Sequence, residues 1–209
     1  MSATCVRRVV CAAAFVAVSA TVAAGADPTT LVDPGRLPQT TAEPATGAAL
    51  NHQMAVLWQA IVRDDVPLGW KVFFPESAYI RMKTGLIPDP PGDFTGRLLG
   101  FYDLDLGAYH LLVARGGAPT FVGVEAVHAD AAWIRPGYCE NLIGYWHLPG
   151  VRLVYRHGDR VFSVAVFSLI SWRGVWYVVH LGPNPRPRNV GTVAGYETGR
   201  GVPGPPGGC

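Results

Sequence analysis

One acidic residue falls on the apolar face of a predicted helix. A helix over 93–114, with successive residues about 100° apart, places Asp105 in the middle of one apolar stripe. The stripe consists of Phe94, Leu98, Phe101, Ala108 and Leu112. A carboxylate facing a core must be paired, hydrogen-bonded or protonated. Asp105 is therefore either a structural carboxylate, bonded to an Arg, a Tyr or a Trp N–H, or a general base with a raised pKa that faces a pocket.

Further polar side chains come from two predicted strands. The segment "ENLIGYWH" places Asn141, Tyr145 and His147 on one strand face, and His180 in a later strand can meet His147 across the sheet. Together with Asp105 they form the predicted ligand-binding pocket. In an enzyme, Asp105 would be the base and Tyr145 or His147 would polarise a carbonyl. Because metal sites need three or four convergent ligands, we predict no metal site.

The remaining motifs and the net charge exclude several classes of function. The sequence contains no G-x-S-x-G elbow, no P-loop, no G-x-G-x-x-G after a predicted strand and no H-E-x-x-H, so no cofactor is predicted. The chain has 17 basic and 15 acidic side chains, and without residues 1–26 the two counts are equal because Arg7 and Arg8 are lost. A nucleic-acid partner is therefore not expected.

Hydrophobic periodicity predicts the elements that position these residues. Helices are expected over 50–61, as a short turn opened by Pro67, and over 93–114 with Asp93 as N-cap. "SAYIRMK" alternates and predicts a half-exposed strand. Further strands are expected at about 120–134, 140–147, 151–157, 160–172 and 175–181, with hairpin turns at "HGD" and "RG".

This order of elements predicts an α+β domain with helices on one face of an antiparallel sheet. It resembles the NTF2-like or SnoaL-like cone, in which N-terminal helices and a curved antiparallel sheet enclose a pocket. The resemblance covers about residues 49–182 and rests on element order. A cystatin-like or other helix-on-sheet fold is the alternative.

A second resemblance rests on sequence segments. "FFPESAYIRMK", "GYWHLPG", "SLISWRGVWYVVHLG" and "PGPPGGC" are similar to those of a family of exported actinobacterial proteins of unknown function, mycobacterial ones among them. It covers most of the chain after residue 26 and implies no site residues.

The chain ends predict export. Arg7 and Arg8 precede an apolar run, and an A-x-A pattern ends at Ala26, which together are typical of a signal peptide over 1–26. The apolar run is too short to span a bilayer, and no transmembrane segment is expected after cleavage. The protein is expected to be secreted or to remain associated with the cell envelope. Residues 27–48 are predicted as a disordered Pro/Thr-rich linker, 49–182 as one domain and 183–209 as a Pro/Gly-rich tail.

Cleavage after Ala26 would leave two cysteines, Cys139 and Cys209. In an oxidising compartment the two favour a disulfide that tethers the tail to the domain. An intermolecular disulfide or a reactive terminal thiol is the alternative.

The strand over 160–172 is apolar on both faces, so both faces should be covered. One face is expected to pack on the helices, and the other to be covered by the tail, a ligand or a second copy in a homodimer. Three functions follow. The leading hypothesis is a non-enzymatic module that binds a small apolar ligand or a protein partner. The others are a SnoaL-like or isomerase-like enzyme and a structural component of the envelope.

Overall fold

Helices occupy the first half of the described chain, and strands follow them. The computed structural model describes residues 32–115 and 117–204, so the predicted signal peptide and Cys209 lie outside the described residues. The helices are α1 (Ala48–Arg63), α2 (Val66–Trp70), α3 (Glu76–Lys83), α4 (Pro90–Asp93) and α5 (Gly100–Val113). The apolar residues whose spacing predicts α1, among them Leu50, Met54 and Leu57, are all buried, so that helix is confirmed.

The segment predicted as a strand at "SAYIRMK" is wrong, because the chain forms helix α3 there. Ala78, Tyr79 and Met82 are buried, which is helical spacing and brings Tyr79 into the core instead of leaving it exposed. Glu76 in the first turn and Lys83 in the last turn both have charges that favour the helix dipole. Over one short segment, alternating and helical patterns overlap, and these end charges are the signal that distinguishes them.

The predicted long helix exists but begins earlier, and its N-cap is Asp89 instead of Asp93. The Asp89 side chain accepts a hydrogen bond from Gly92 N at 3.0 Å, and prolines occupy the first helical positions. Between α4 and α5 the chain forms a π-helical segment, Phe94–Leu99. This arrangement leaves Asp93 free to bind Arg97 one turn further along.

The sheet has two long central strands with short strands along both outer edges. Its six antiparallel strands are β1 (Thr120–Glu125), β2 (Ala132–Ile134), β3 (Tyr145–His157), β4 (Arg160–Trp172), β5 (Val175–His180) and β6 (Ala194–Thr198). Strands β1 and β2 both pair with β3, whereas β5 and β6 both pair with β4. The α+β class is thereby confirmed.

Several predicted strand boundaries change. The predicted segment 140–147 is a strand only from Tyr145 onward, so Asn141 lies in the loop before it. From Tyr145 the chain continues without a break through 151–157 as one strand, β3, in which Gly150 adopts a left-handed conformation with φ of 59°. The single segment 120–134 is instead divided into β1 and β2 by a 3₁₀ turn at His128–Asp130. The turn predicted at "RG" is confirmed, since Arg173 and Gly174 both have positive φ between β4 and β5.

The hydrophobic core fills the space between the helices and the sheet. Trp58 of α1 lies between Phe121 and Tyr155, with ring centroids 5.7 and 5.0 Å away. Tyr109 of α5 reaches the sheet, where its hydroxyl accepts from Ala194 N at 3.0 Å. Helix α5 thereby supports the start of β6.

Residues 33–48, which belong to the predicted linker, lie against the rest of the domain. Trp172 Nε1 donates to Pro34 O at 2.8 Å, and Gln39 Nε2 donates to Ser171 O at 2.9 Å. Hydrogen bonds to the end of β4 hold this segment in place, a signal that its Pro/Thr-rich composition does not reveal.

The predicted tail contributes a strand that the sequence pattern did not indicate. Within it, β6 pairs with β4, and further along Gly204 N donates to Gly150 O at 3.0 Å. The domain therefore extends beyond residue 182 at least to Gly204. Among the described residues, no helix is long and apolar enough to cross a membrane.

Candidate functional site

A cavity of about 1180 Å³ lies between helix α3, the π-helical segment, the central strands and the tail. Helices and sheet supply opposite walls, and residues 202–204 of the tail line part of the rim. Its apolar lining includes Phe74, Met82, Ile87, Leu98, Phe167, Ile170 and Val179. Ligand pockets typically measure about 300–1,000 Å³, so this cavity is large enough for a small organic molecule.

Two histidines and a serine form a polar group on the sheet wall of the cavity. His147 Nε2 lies 2.7 Å from Ser168 Oγ, and Ser168 stands opposite His180 in the register between β4 and β5. Burial lowers the pKa of each histidine to about 4. Both imidazoles are therefore neutral at pH 7 and can each donate and accept a hydrogen bond.

Asn141 and Tyr145 line the same cavity. Asn141 Nδ2 donates to Cys139 O at 2.8 Å and lies 3.3 Å from the Tyr145 hydroxyl. Burial raises the pKa of Tyr145 to about 12, so its phenol stays protonated at pH 7. Of the five residues predicted for a pocket, the structure thus brings together Asn141, Tyr145, His147 and His180.

Asp105 is not among the described residues that line the cavity. It is buried and forms an ion pair with Arg186, and it also accepts hydrogen bonds from Gly182 N and Thr192 N, each at 2.8 Å. Burial raises the pKa of the Asp105 carboxyl, and the hydrogen bonds from Thr192, Arg186 and Gly182 oppose that shift. The sequence alone left open whether Asp105 is structural or catalytic, and this geometry is that of a structural carboxylate.

The role of Asp105 is to hold the loop between β5 and β6. Arg186 also donates to Phe101 O at 2.7 Å, and its guanidinium lies 4.4 Å from the centroid of the Phe101 ring. This loop leads directly into β6 and the tail, whose residues line the cavity. Asp105 therefore does not line the cavity itself but holds the loop that leads into β6 and the tail, which do.

Two charged groups on the helix side of the cavity are tied to neighbours. Arg97 Nε donates to Asp93 Oδ1 at 2.7 Å, and the Tyr79 hydroxyl donates to the same carboxylate. The Arg97 hydrogen bond lowers the pKa of Asp93. Lys83 Nζ donates to Glu140 O at 2.9 Å, and burial lowers the pKa of this lysine.

On the tail side, Arg152 is buried beneath two glycines. Its guanidinium donates to Ser163 Oγ at 2.7 Å and pairs with Glu197 at 2.9 Å, while its Nε has no hydrogen-bond partner among the described residues. A Cβ added to Gly201, whose φ is 69°, would lie 2.5 Å from that Nε. Glycine at position 201 thus allows the tail to lie directly on Arg152.

Sequence patterns did not single out Arg152, Ser168, Lys83 or Arg97. A signal was present for two of them, because Arg152 and Ser168 are polar residues inside apolar strand segments, "VRLVY" and "VFSLI". Such residues need a partner or a cavity. For Lys83 and Arg97 no comparable signal existed, since both lie in predicted elements with mixed polarity.

Metal ligation finds no support in the described ranges 32–115 and 117–204. They contain no group of three or more His, Cys, Asp or Glu side chains that could hold an ion. His147 and His180 line the same cavity, whereas Asp105, another residue predicted for the pocket, is paired with Arg186.

The described end of the tail and Cys139 line the same cavity. Cys209 lies outside the described residues, so its disulfide with Cys139 stays a prediction. The five residues after Gly204 can span up to about 17 Å, which makes a tether near this rim feasible.

We expect the protein, analysed without reductant, to have a mass about 2 Da below that of the reduced chain. The measurement is intact mass spectrometry after recovery from an exporting host. Cys209→Ser is the control and should leave one thiol that reacts with an alkylating agent. Two alkylated thiols in the unreduced wild type, or a disulfide-linked dimer, would contradict the tether.

No protein-family model, curated protein or solved structure matches this chain. The assignment of function therefore rests on the geometry of the cavity.

Proposed function

We propose that this protein is a non-enzymatic binding module for a small, largely apolar ligand, exported to the cell envelope or the medium. The observation that carries the proposal is the cavity of about 1180 Å³ between the helices and the sheet. An apolar cavity with a few polar groups is the usual form of a ligand site. Export enters the proposal from the sequence pattern at the N terminus.

The proposed fold is an NTF2-like cone. A helical layer on an antiparallel sheet with a cavity between them supports it, as does the position of Asn141, Tyr145 and His147 on the cavity wall. The shared architecture carries no activity with it, because one fold hosts both enzymes and binding proteins.

The cavity favours binding over the two other hypotheses. A general base needs an accessible carboxylate, and Asp105 is occupied by Arg186 and backbone donors. A purely structural component would need no internal space, whereas this cavity can hold a ligand.

The test is the binding of the neutral apolar dye Nile red, followed by its fluorescence. We expect Val179→Phe to weaken dye binding about tenfold or more, because the larger ring occupies cavity space and overpacking costs about 1–3 kcal/mol. Val175→Phe is the matched control, since Val175 lies on the same strand, is exposed and is not among the described cavity residues.

Equal dye affinity for both variants and the wild type would place the dye outside the cavity. No dye binding by the folded wild type would remove the support for a binding function.

A further inference from the structure

The charged residues that line the cavity balance one another. Of those that the structure describes, three are basic and three are acidic: Lys83, Arg97, Arg152, Asp93, Glu140 and Glu197. Two of the basic groups, Arg97 and Arg152, form ion pairs with acidic members of the same set. Lys83 donates to the Glu140 carbonyl, and the negative charge of the Glu140 carboxylate favours the charged form of Lys83. Among the described lining residues, no basic group thus remains without an acidic neighbour to receive an anionic ligand.

The polar group on the sheet wall adds no charge. His147 and His180 are both half-buried, and this burial lowers the pKa of each to about 4, so both imidazoles are neutral at pH 7. His147 already lies 2.7 Å from Ser168 Oγ. The structure shows no hydrogen bond between the His180 ring and another described residue, although that ring lines the cavity. A neutral imidazole in this state can still donate one hydrogen bond and accept another.

This arrangement discriminates between ligand head groups. A carboxylate moved into the cavity would lose its hydration without gaining a cation, which is far more costly than burying a hydroxyl that finds a partner. A hydroxyl or carbonyl oxygen placed near Ser168 and His180 would instead be satisfied by neutral hydrogen-bonding groups. The apolar lining would cover the hydrocarbon part of the ligand.

We propose that the ligand is an uncharged amphiphile whose hydroxyl or carbonyl oxygen binds at Ser168 and His180 and whose hydrocarbon part packs against the apolar lining residues. The inference rests on the proposed binding function and specifies the chemical class of its ligand. Two observations support this proposal: the charges of the described lining residues balance, and the His180 ring has no hydrogen-bond partner among the described residues.

The test compares 1-decanol with decanoate as competitors of Nile red on the full-length exported protein at pH 7.5. The two have chains of equal length and differ in the charge of the head group, since a carboxyl group is ionised at this pH. We expect decanol to displace the dye with a Kd at least about tenfold lower than that of decanoate. Equal displacement, or stronger displacement by decanoate, would overturn the inference.

Two variants assign the effect to the named residues. His180→Phe keeps a ring in place but removes both nitrogens, so it should weaken decanol binding about tenfold, whereas the exposed His52→Phe should leave it unchanged. Glu197→Gln removes the partner of Arg152 and should strengthen decanoate binding without altering that of decanol. Unchanged decanol affinity in His180→Phe would refute the assigned head-group site.

The outcomes separate the inference from the binding function. If Nile red binds, Val179→Phe blocks it and decanoate competes as well as decanol, the ligand class is wrong and the binding function stands. If Nile red and both competitors fail to bind the folded protein, both proposals fail together.

Discussion

Asp105→Ala should lower the free energy of unfolding by about 3–5 kcal/mol, the cost typical of removing one partner from a buried ion pair. Both side chains of the pair are buried, with 2% of the Asp105 side chain and 3% of the Arg186 side chain exposed. The substitution would leave Arg186 charged without its counterion. It would also leave the N–H groups of Gly182 and Thr192 without their acceptor. Since domains are stable by only about 5–15 kcal/mol, the loss is a large share of the total.

The measurement is urea unfolding followed by tryptophan fluorescence. Asp103→Ala is the matched control on the same helix, because Asp103 is only half-buried and forms no ion pair among the described residues, its carboxylate accepting from Trp70 Nε1 at 2.8 Å. We expect the control to lose about 1 kcal/mol or less. Asp105→Ala combined with Arg186→Met should be less unstable than the sum of the two single changes, because the double change leaves no unpaired buried charge.

A loss below about 1 kcal/mol for Asp105→Ala would contradict the structural role. In that case Asp105 would be a candidate base again, and its substitution should abolish turnover of a ligand while the fold persists. The structural role therefore predicts a large loss of stability, and the catalytic role predicts little or none.

The second large effect is a decrease in stability on acidification from pH 7.5 to pH 5.0, amounting to about 2 kcal/mol for each of His147 and His180. Burial lowers the pKa of both histidines from the usual 6.5 to about 4 in the folded protein. Above pH 6.5 both histidines are neutral in the folded and the unfolded chain, so they contribute no pH dependence there. Between pH 6.5 and pH 4 the unfolded chain binds protons that the folded chain does not, so stability falls as pH falls.

Unfolding by urea at several pH values between 5.0 and 7.5 measures this slope. His180→Phe should remove about half of it, because the unfolded chain then has one fewer group to protonate. The exposed His52→Phe should leave the slope unchanged. A wild-type stability that is constant over this range would show that the two histidines titrate normally.

Local patterns predicted the elements whose sequence signal is strong. Helix α1 has an uninterrupted apolar stripe, and Arg173 with Gly174 forms the expected hairpin turn. Helix α3 was mistaken for a strand because its eight residues are too few to separate a period of two from one of 3.6. Strand β6 was missed since "AGYET" has no apolar alternation, and its conformation is set by pairing with β4.

The residues of the candidate site also fall into two groups, those that local sequence patterns predicted and those that depend on distant contacts. Strand alternation was enough to place Tyr145 and His147 on one face, because side chains in a strand alternate whatever surrounds them. Asn141 precedes strand β3, so the prediction that it lies in that strand is wrong, and the loop before β3 places it at the cavity. The partner of Asp105 was not accessible to such reasoning, since Arg186 is 81 residues away in a loop without periodic structure. Ser168 and Arg152 are site residues because the fold brings the central strands, the helices and the tail around one cavity.

The sequence by itself determined the α+β class, the main helices, the hairpin turns and the faces on which most polar candidates lie, because these depend on residues close together in the chain. Only the tertiary structure decided that Asp105 is paired, that the tail supplies a strand, and that a charge-balanced cavity contains two neutral histidines. Each of these depends on contacts between segments far apart in sequence, where burial and pairing, not local periodicity, set the free energy.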